Sequence, residues 1–179
     1  RIITLTWNYA NEIADGICES RGGGLTEFGK SVVSEMERLG IIIDVSHLSE
    51  AGFWDVASIA TKPFVASHSC SLKLCPNIRN LSDEQISEII RQNGCIGINF
   101  YTEFLNDNKC KVYDIYRHIE HILSLNGEDC VGLGSDFDGV PSLPDGMRGI
   151  ENIVCCLGRI LPLKHCLQIT ARKERKENL

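Results

Sequence analysis

Apolar residues in this chain gather into short runs of aliphatic side chains, separated by longer stretches in which apolar positions recur every three or four residues. A dense apolar run bounded by turn residues predicts a buried strand, and the longer period predicts a helix with one buried face. Strands are expected at 2–7, 41–47, 63–68, 95–101 and 130–136, and helices at 25–39, 50–61, 83–93, 111–125 and 150–161. Leu25, Phe28, Val32, Met36 and Leu39 make the apolar face of the first helix. Ser82-Asp83-Glu84-Gln85 has the form of a capping box and fixes the start of the third. Gly22-Gly23-Gly24 reads as a connecting turn, because no strand leads directly into it.

Five strand-then-helix units in succession predict a parallel sheet covered by helices. An eight-stranded barrel usually needs about 250 residues, so the 179 residues here supply roughly five of its eight units. The expected fold class is α/β, a partial barrel of the (β/α)8 TIM-barrel kind. Beyond residue 160 the period fades, and Pro162 breaks any helix running through it. The reading divides the chain into a barrel portion, 1–153, and a divergent tail, 154–179. The first residue is Arg rather than Met, which leads us to expect a preceding segment.

The second and third strands end alike, in Asp44-Val45-Ser46-His47 and Val65-Ala66-Ser67-His68. Histidines at the tips of neighbouring parallel strands place two imidazoles side by side, as a metal site requires. A lone histidine at a strand end is more often a hydrogen-bonded structural residue. Catalytic zinc takes three protein ligands, so two imidazoles need at least one carboxylate from elsewhere. Gly134-Ser135-Asp136-Phe137-Asp138-Gly139 closes the fifth strand and places Asp136 for ligation, proton transfer or amine binding, although an Asx-rich turn fits equally well. Arg79, eleven residues after His68, suits a bidentate grip on a substrate carboxylate; an ordinary surface arginine is the alternative. His118 and His121 are three apart on a helix and are expected to face solvent.

Net charge −6, with no basic stripe, argues against a nucleic-acid partner. No apolar stretch approaches the roughly 20 residues that span a bilayer. Nine cysteines include no C-x-x-C pair, and Cys95 and Cys130 are expected within strands as small apolar residues. Cys70 and Cys75 match no structural zinc spacing. Reduced thiols and a cytoplasmic location are expected.

Taken together, these segments resemble the membrane (renal) dipeptidase family of zinc hydrolases. The likeness runs through Gly24-Leu25-Thr26-Glu27-Phe28-Gly29, Ile43-Asp44-Val45-Ser46-His47, Ser67-His68-Ser69, Arg79-Asn80, Ile98-Asn99-Phe100-Tyr101, His118-Ile119-Glu120-His121 and Gly134-Ser135-Asp136-Phe137-Asp138-Gly139. It covers residues 2 to 153 in order, including the 21-residue step from His47 to His68. The resemblance implies a (β/α)8 barrel with two Zn2+ ions, a dipeptide substrate, and peptide-bond hydrolysis through a metal-activated water. It also implies that His47 and His68 bind the second zinc, that Arg79 holds the dipeptide's carboxylate, and that Asp136 acts near its amine and the scissile bond.

The sequence departs from that pattern in three places. The family's His-x-Asp motif and bridging glutamate have no counterpart, so ligands for the first zinc are absent. Trp7 stands where the family often carries a substrate-contacting histidine, offering an indole N–H instead. The end after residue 153 does not resemble the family's closing helix. The expectation is therefore a zinc dipeptidase, incomplete in this chain and inactive alone, that acts as a homodimer or with a complementing N-terminal barrel fragment. The alternatives are another metal-dependent amide or lactone hydrolase of the same barrel, and a non-catalytic gene fragment.

Overall fold

Strands β1 (Ile2–Thr4), β2 (Ile42–Asp44), β3 (Val65–Ala66), β4 (Cys95–Ile98) and β5 (Val131–Leu133) lie side by side in chain order, all parallel. They belong to a computed structural model that describes residues 1–106 and 108–153. The register runs Ile2 to Ile42, Asp44 to Val65, Ala66 to Ile96 and Ile98 to Leu133. Among the described residues β1 and β5 are edges, so the sheet is an open arc, a partial barrel of five parallel strands.

Parallel strands need crossovers, and helices α1 (Glu27–Leu39), α2 (Glu50–Ile59), α3 (Asp83–Arg91) and α5 (Val112–Ser124) supply them. A short helix α4 (Thr102–Leu105) sits between β4 and α5, where no helical period is predicted. Each of the first three helices starts where a hydroxyl accepts an orphan N–H: Thr26 from Gly29, Ser49 from Gly52, Ser82 from Gln85. The Ser82–Gln85 capping box is reciprocal, as the sequence predicts. Gly40 ends α1 at φ 67°, a left-handed turn that glycine adopts without strain.

The core lies between the sheet and its helices. Phe53 of α2 meets Phe64 edge to face at 5.7 Å, with Ile86, Ile89, Ile96, Ile98, Ile115 and Ile122 fully buried around them. Within β2, Ile43 is buried beneath helices and Ile42 is exposed on the opposite face. Asp44, two residues on and on the face of Ile42, is buried again at the end of the strand.

Three expectations need correction, and a fourth lies mostly outside the described residues. All five strands are shorter than predicted, because the ladder stops where the strand tips splay into loops. The buried stripe of α1 is Gly29, Val33 and Met36, whereas Phe28 and Leu39 are exposed and border a surface groove with Ile3 and Ile41. Cys95 opens β4 exposed, and Cys130 is buried but precedes β5. The expected helix at 150–161 begins as a 3-10 turn, Ile150–Asn152, and its remainder, with the tail from 154, lies outside the described residues.

Candidate active site

His47 lies three residues past the end of β2 and His68 two past the end of β3. The two strands are neighbours, so both imidazoles reach the same rim of the sheet. Their Nε2 atoms stand 2.8 Å apart and their ring centroids 4.9 Å apart. His47 holds φ at 68°, a left-handed backbone uncommon outside glycine, which turns its ring back toward the rim.

The other ring nitrogen of each histidine is occupied. Nδ1 of His47 lies 2.9 Å from Asn8 Oδ1, and Nδ1 of His68 lies 2.7 Å from Ser67 Oγ. Ser67 Oγ in turn donates to Asp44 Oδ2 at 2.5 Å. Burial pushes the His47 pKa down to about 3, reinforced by the charge of Arg79 and by His68 and opposed by Asp44. Burial and Arg79 lower His68 in the same way, against the pull of Asp136 and Asp44. Neutral imidazoles are the form that donates a lone pair to a metal.

Asp44 ends β2 and is almost wholly buried. Burial alone would raise its pKa, but hydrogen bonds from the Ser67 side chain and backbone, the Ser46 backbone and Thr4 hold it below the ordinary carboxylate range. Close approach of the strand ends makes room for this cluster. A Cβ on Gly134 would clash with the Ser67 carbonyl oxygen, and one on Gly97 would clash with the same atom.

Arg79 is not the surface arginine of the alternative reading. It is 9% exposed, with Nη2 donating to the His68 carbonyl at 3.4 Å and its guanidinium 5.4 Å from the Phe104 ring centroid. Burial lowers its pKa to about 10, opposed by Asp136 and Asp44. Among the described residues no carboxylate pairs with it, and its Nε has no partner. A buried cation left in this state is a waiting anion site.

Asp136 holds φ at 61° at the tip of the β5 segment and accepts from Asn99 Nδ2 at 3.1 Å. Trp7 is largely exposed, with its ring centroid 6.2 Å from that of His47. A cleft of about 410 Å3 gathers Trp7, Asn8, His47, Arg79, Tyr101 and Asp136. A second cavity of about 420 Å3 shares Trp7, His47 and Asp136 and adds His68 and Thr6. All five residues singled out in the sequence thus line one or both of two cavities that share Trp7, His47 and Asp136.

The structure moves the other candidates elsewhere. His118 is fully buried, not solvent-facing: Ser71 N–H donates to its Nδ1 at 3.0 Å, and its Nε2 lies 3.0 Å from the Leu105 carbonyl. His121 pairs with Asp83 of α3 at 2.6 Å, so α5 packs both histidines inward. Cys70 donates to the Asn99 carbonyl and Cys75 to that of Glu103, away from the imidazoles. Asn8, Asp44, Ser67 and Asn99 escaped the sequence reading as site residues. One signal was available for Asp44, an acid embedded in an apolar run, since a buried charge needs partners.

Among the described residues no group of three or more His, Cys, Asp or Glu is placed to hold a metal, so the two imidazoles stand alone as donors. They nevertheless fit one. If both Nδ1 atoms carry protons, both Nε2 lone pairs face each other at 2.8 Å, an arrangement that repels unless a cation or a proton lies between them.

Known proteins supply the comparison. The profile of the membrane dipeptidase family (peptidase family M19) matches residues 1–161. An uncharacterized protein in the pqqA 5′ region of Klebsiella pneumoniae is 40% identical over 158 residues, 82% of this chain and 58% of its own length. An uncharacterized dipeptidase of Schizosaccharomyces pombe is 33% identical over 165 residues, 87% of this chain and 40% of its own. A metallopeptidase from Rhodobacter sphaeroides, solved with a phosphinate mimic of the dipeptide L-Ala-D-Ala, superposes with a TM-score of 0.83 at 34% identity, covering 89% of this chain and 48% of that one. The chain therefore spans roughly half the length of the relatives it matches.

Proposed function

The chain belongs to the membrane dipeptidase family, and from that premise we propose that it carries half of the active site of a zinc-dependent dipeptidase. One observation carries the reading: two Nε2 atoms stand 2.8 Å apart, and His47, one of the pair, lines the same cleft as a buried guanidinium that no described carboxylate pairs with. Zinc bound at the imidazoles supplies a Lewis acid and lowers the pKa of a water. His47 and His68 hold it, and the remaining ligands come from outside the described residues, through a complementing N-terminal barrel fragment or a second copy of the chain.

The residues of this chain position the dipeptide. Arg79, desolvated and without a carboxylate partner among the described residues, takes the substrate's terminal carboxylate in a bidentate grip. That contact sets the peptide bond near the histidines, where fixed geometry replaces a costly encounter. Asp136, held by Asn99, receives the free amine or moves a proton at the scissile nitrogen. Trp7 lines the mouth and offers its indole N–H to the substrate.

The family premise and the unpaired Arg79 together favour a dipeptidase over an amide or lactone hydrolase, whose substrates lack a terminal carboxylate. Cys18, Cys70, Cys95, Cys110 and Cys130 are thiols, which supports a reducing, cytoplasmic setting. No helix among the described residues is long and apolar enough to cross a membrane. The test is zinc-dependent dipeptide hydrolysis by the chain reconstituted with the N-terminal barrel half of a relative. His47→Ala and His68→Ala should each abolish zinc uptake and turnover. Variants that keep both at the unsubstituted level overturn the proposal.

A further inference from the structure

Asp44 touches neither imidazole, yet its hydrogen bonds determine which nitrogen of His68 is bare. Its Oδ1 accepts from the backbone N–H groups of Ser46 at 3.0 Å and Ser67 at 2.9 Å. Its Oδ2 accepts from Thr4 Oγ1 at 2.7 Å and Ser67 Oγ at 2.5 Å. A carboxylate facing four donors is ionised and can only accept, so the single hydroxyl hydrogen of Ser67 points at Asp44. Ser67 Oγ then has only lone pairs to offer His68 Nδ1, 2.7 Å away. Nδ1 must therefore carry the proton, which leaves Nε2 bare and aimed at the rim.

We infer that Asp44 is a positioning residue that fixes the metal-binding tautomer of His68 through a one-way relay, Asp44 to Ser67 to His68. The inference rests on the zinc reading above, but the relay itself is a property of the metal-free chain.

His47 has no such lock. Its Nδ1 meets the side-chain amide of Asn8 at 2.9 Å, and an amide turned end for end can accept or donate. The Asn8 amide nitrogen has no hydrogen bond to hold it in one orientation among those found in the described residues. Without a cation, His47 therefore takes a proton on Nε2 and donates it across 2.8 Å to His68. With one, it returns that proton to Nδ1. One imidazole is fixed and its neighbour adjusts, so the pair avoids opposed lone pairs without disturbing the fold.

The relay predicts an inversion. In Asp44→Asn, the two backbone donors keep the amide oxygen on their side, and the new NH2 group faces Ser67. Ser67 must then accept from that amide and donate to His68 Nδ1, which drives the His68 proton to Nε2 and removes its lone pair. Histidine 15N spectra of the full, metal-free chain at neutral pH read this directly. The unsubstituted protein should show His68 protonated at Nδ1, Asp44→Asn should show it protonated at Nε2, and Ser67→Ala should show a mixture. Zinc affinity, measured by competition with a chelator, should fall about 10- to 100-fold in Asp44→Asn and Ser67→Ala and return in Ser67→Thr.

His68 protonated at Nε2 in the unsubstituted chain overturns the relay, as does an unchanged tautomer in a folded Asp44→Asn. Should that variant not fold, a single Nδ1–H tautomer in folded Ser67→Ala overturns it equally. Predicted tautomers in a chain that takes up no zinc would uphold the relay and defeat the metal reading instead.

Discussion

Replacing His118 with phenylalanine keeps a planar aromatic ring, somewhat larger than imidazole, and removes both ring nitrogens. The Ser71 N–H and the Leu105 carbonyl, each 3.0 Å from the imidazole, then lose their partner in a fully buried place. An unsatisfied buried backbone group costs about 1–3 kcal/mol, so the two together should destabilise the fold by about 2–6 kcal/mol at neutral pH, less what the phenyl ring gains by burial. Acid should narrow this difference. Burial pushes the His118 pKa from 6.5 down to about 4, with Arg117 and His121 acting the same way and the Leu105 bond and Asp114 opposing. Because the folded value is depressed, the unfolded chain binds a proton between pH 6.5 and about 4 that the folded chain refuses. Stability is therefore complete above pH 6.5 and lost as pH falls, by about 1.4 kcal/mol per unit, or about 3 kcal/mol by pH 4. The phenylalanine variant has no such group. Contributions from His47 and His68 are common to both proteins and cancel. Urea unfolding followed by circular dichroism at about pH 7 and about pH 4 measures the two gaps. A gap that stays constant, or widens in acid, refutes the assignment of His118 as a buried neutral pin.

Arg79→Met should raise stability by about 1–3 kcal/mol, because it removes a desolvated cation with no carboxylate partner among the described residues, while abolishing dipeptide binding; a lower unfolding midpoint in urea would contradict this. Gly134→Ala puts a Cβ against the Ser67 carbonyl, backbone on backbone, and should cost about 2 kcal/mol or more and weaken zinc uptake by moving His68. Wild-type stability and zinc affinity in that variant would show the strand tips to be looser than described. Ser82→Ala removes the α3 cap and should cost about 1 kcal/mol in thermal or urea unfolding with no change in zinc affinity.

Strand existence and order were legible because aliphatic runs between turn residues have few other places to go than a parallel sheet buried under helices. Strand ends were not, since the last predicted residues of each run, such as Trp7 and His47, leave the ladder to line the rim. The burial of His118 was readable in retrospect: it falls in step with Ile115 and Ile122, on the face of α5 that packs inward. A polar residue in phase with a buried stripe signals a hydrogen-bonded pin more often than a solvated side chain. Arg79 had no such signal, because nothing in its own segment predicts that Phe104, 25 residues on, will cover it.

By itself, then, the order of residues determined the layered α/β architecture, the helix starts, and the pairing of two Ser-His strand tips, all consequences of local periodicity and short-range hydrogen bonding. Tertiary structure alone decided that Asn8 would meet His47 across 39 positions and that Ser67, next to His68, would meet Asp44 across 23. It also decided that a guanidinium would be stranded beside them. Those contacts depend on where strand tips converge in space, and lone-pair direction and desolvation are properties of that convergence, not of any single segment.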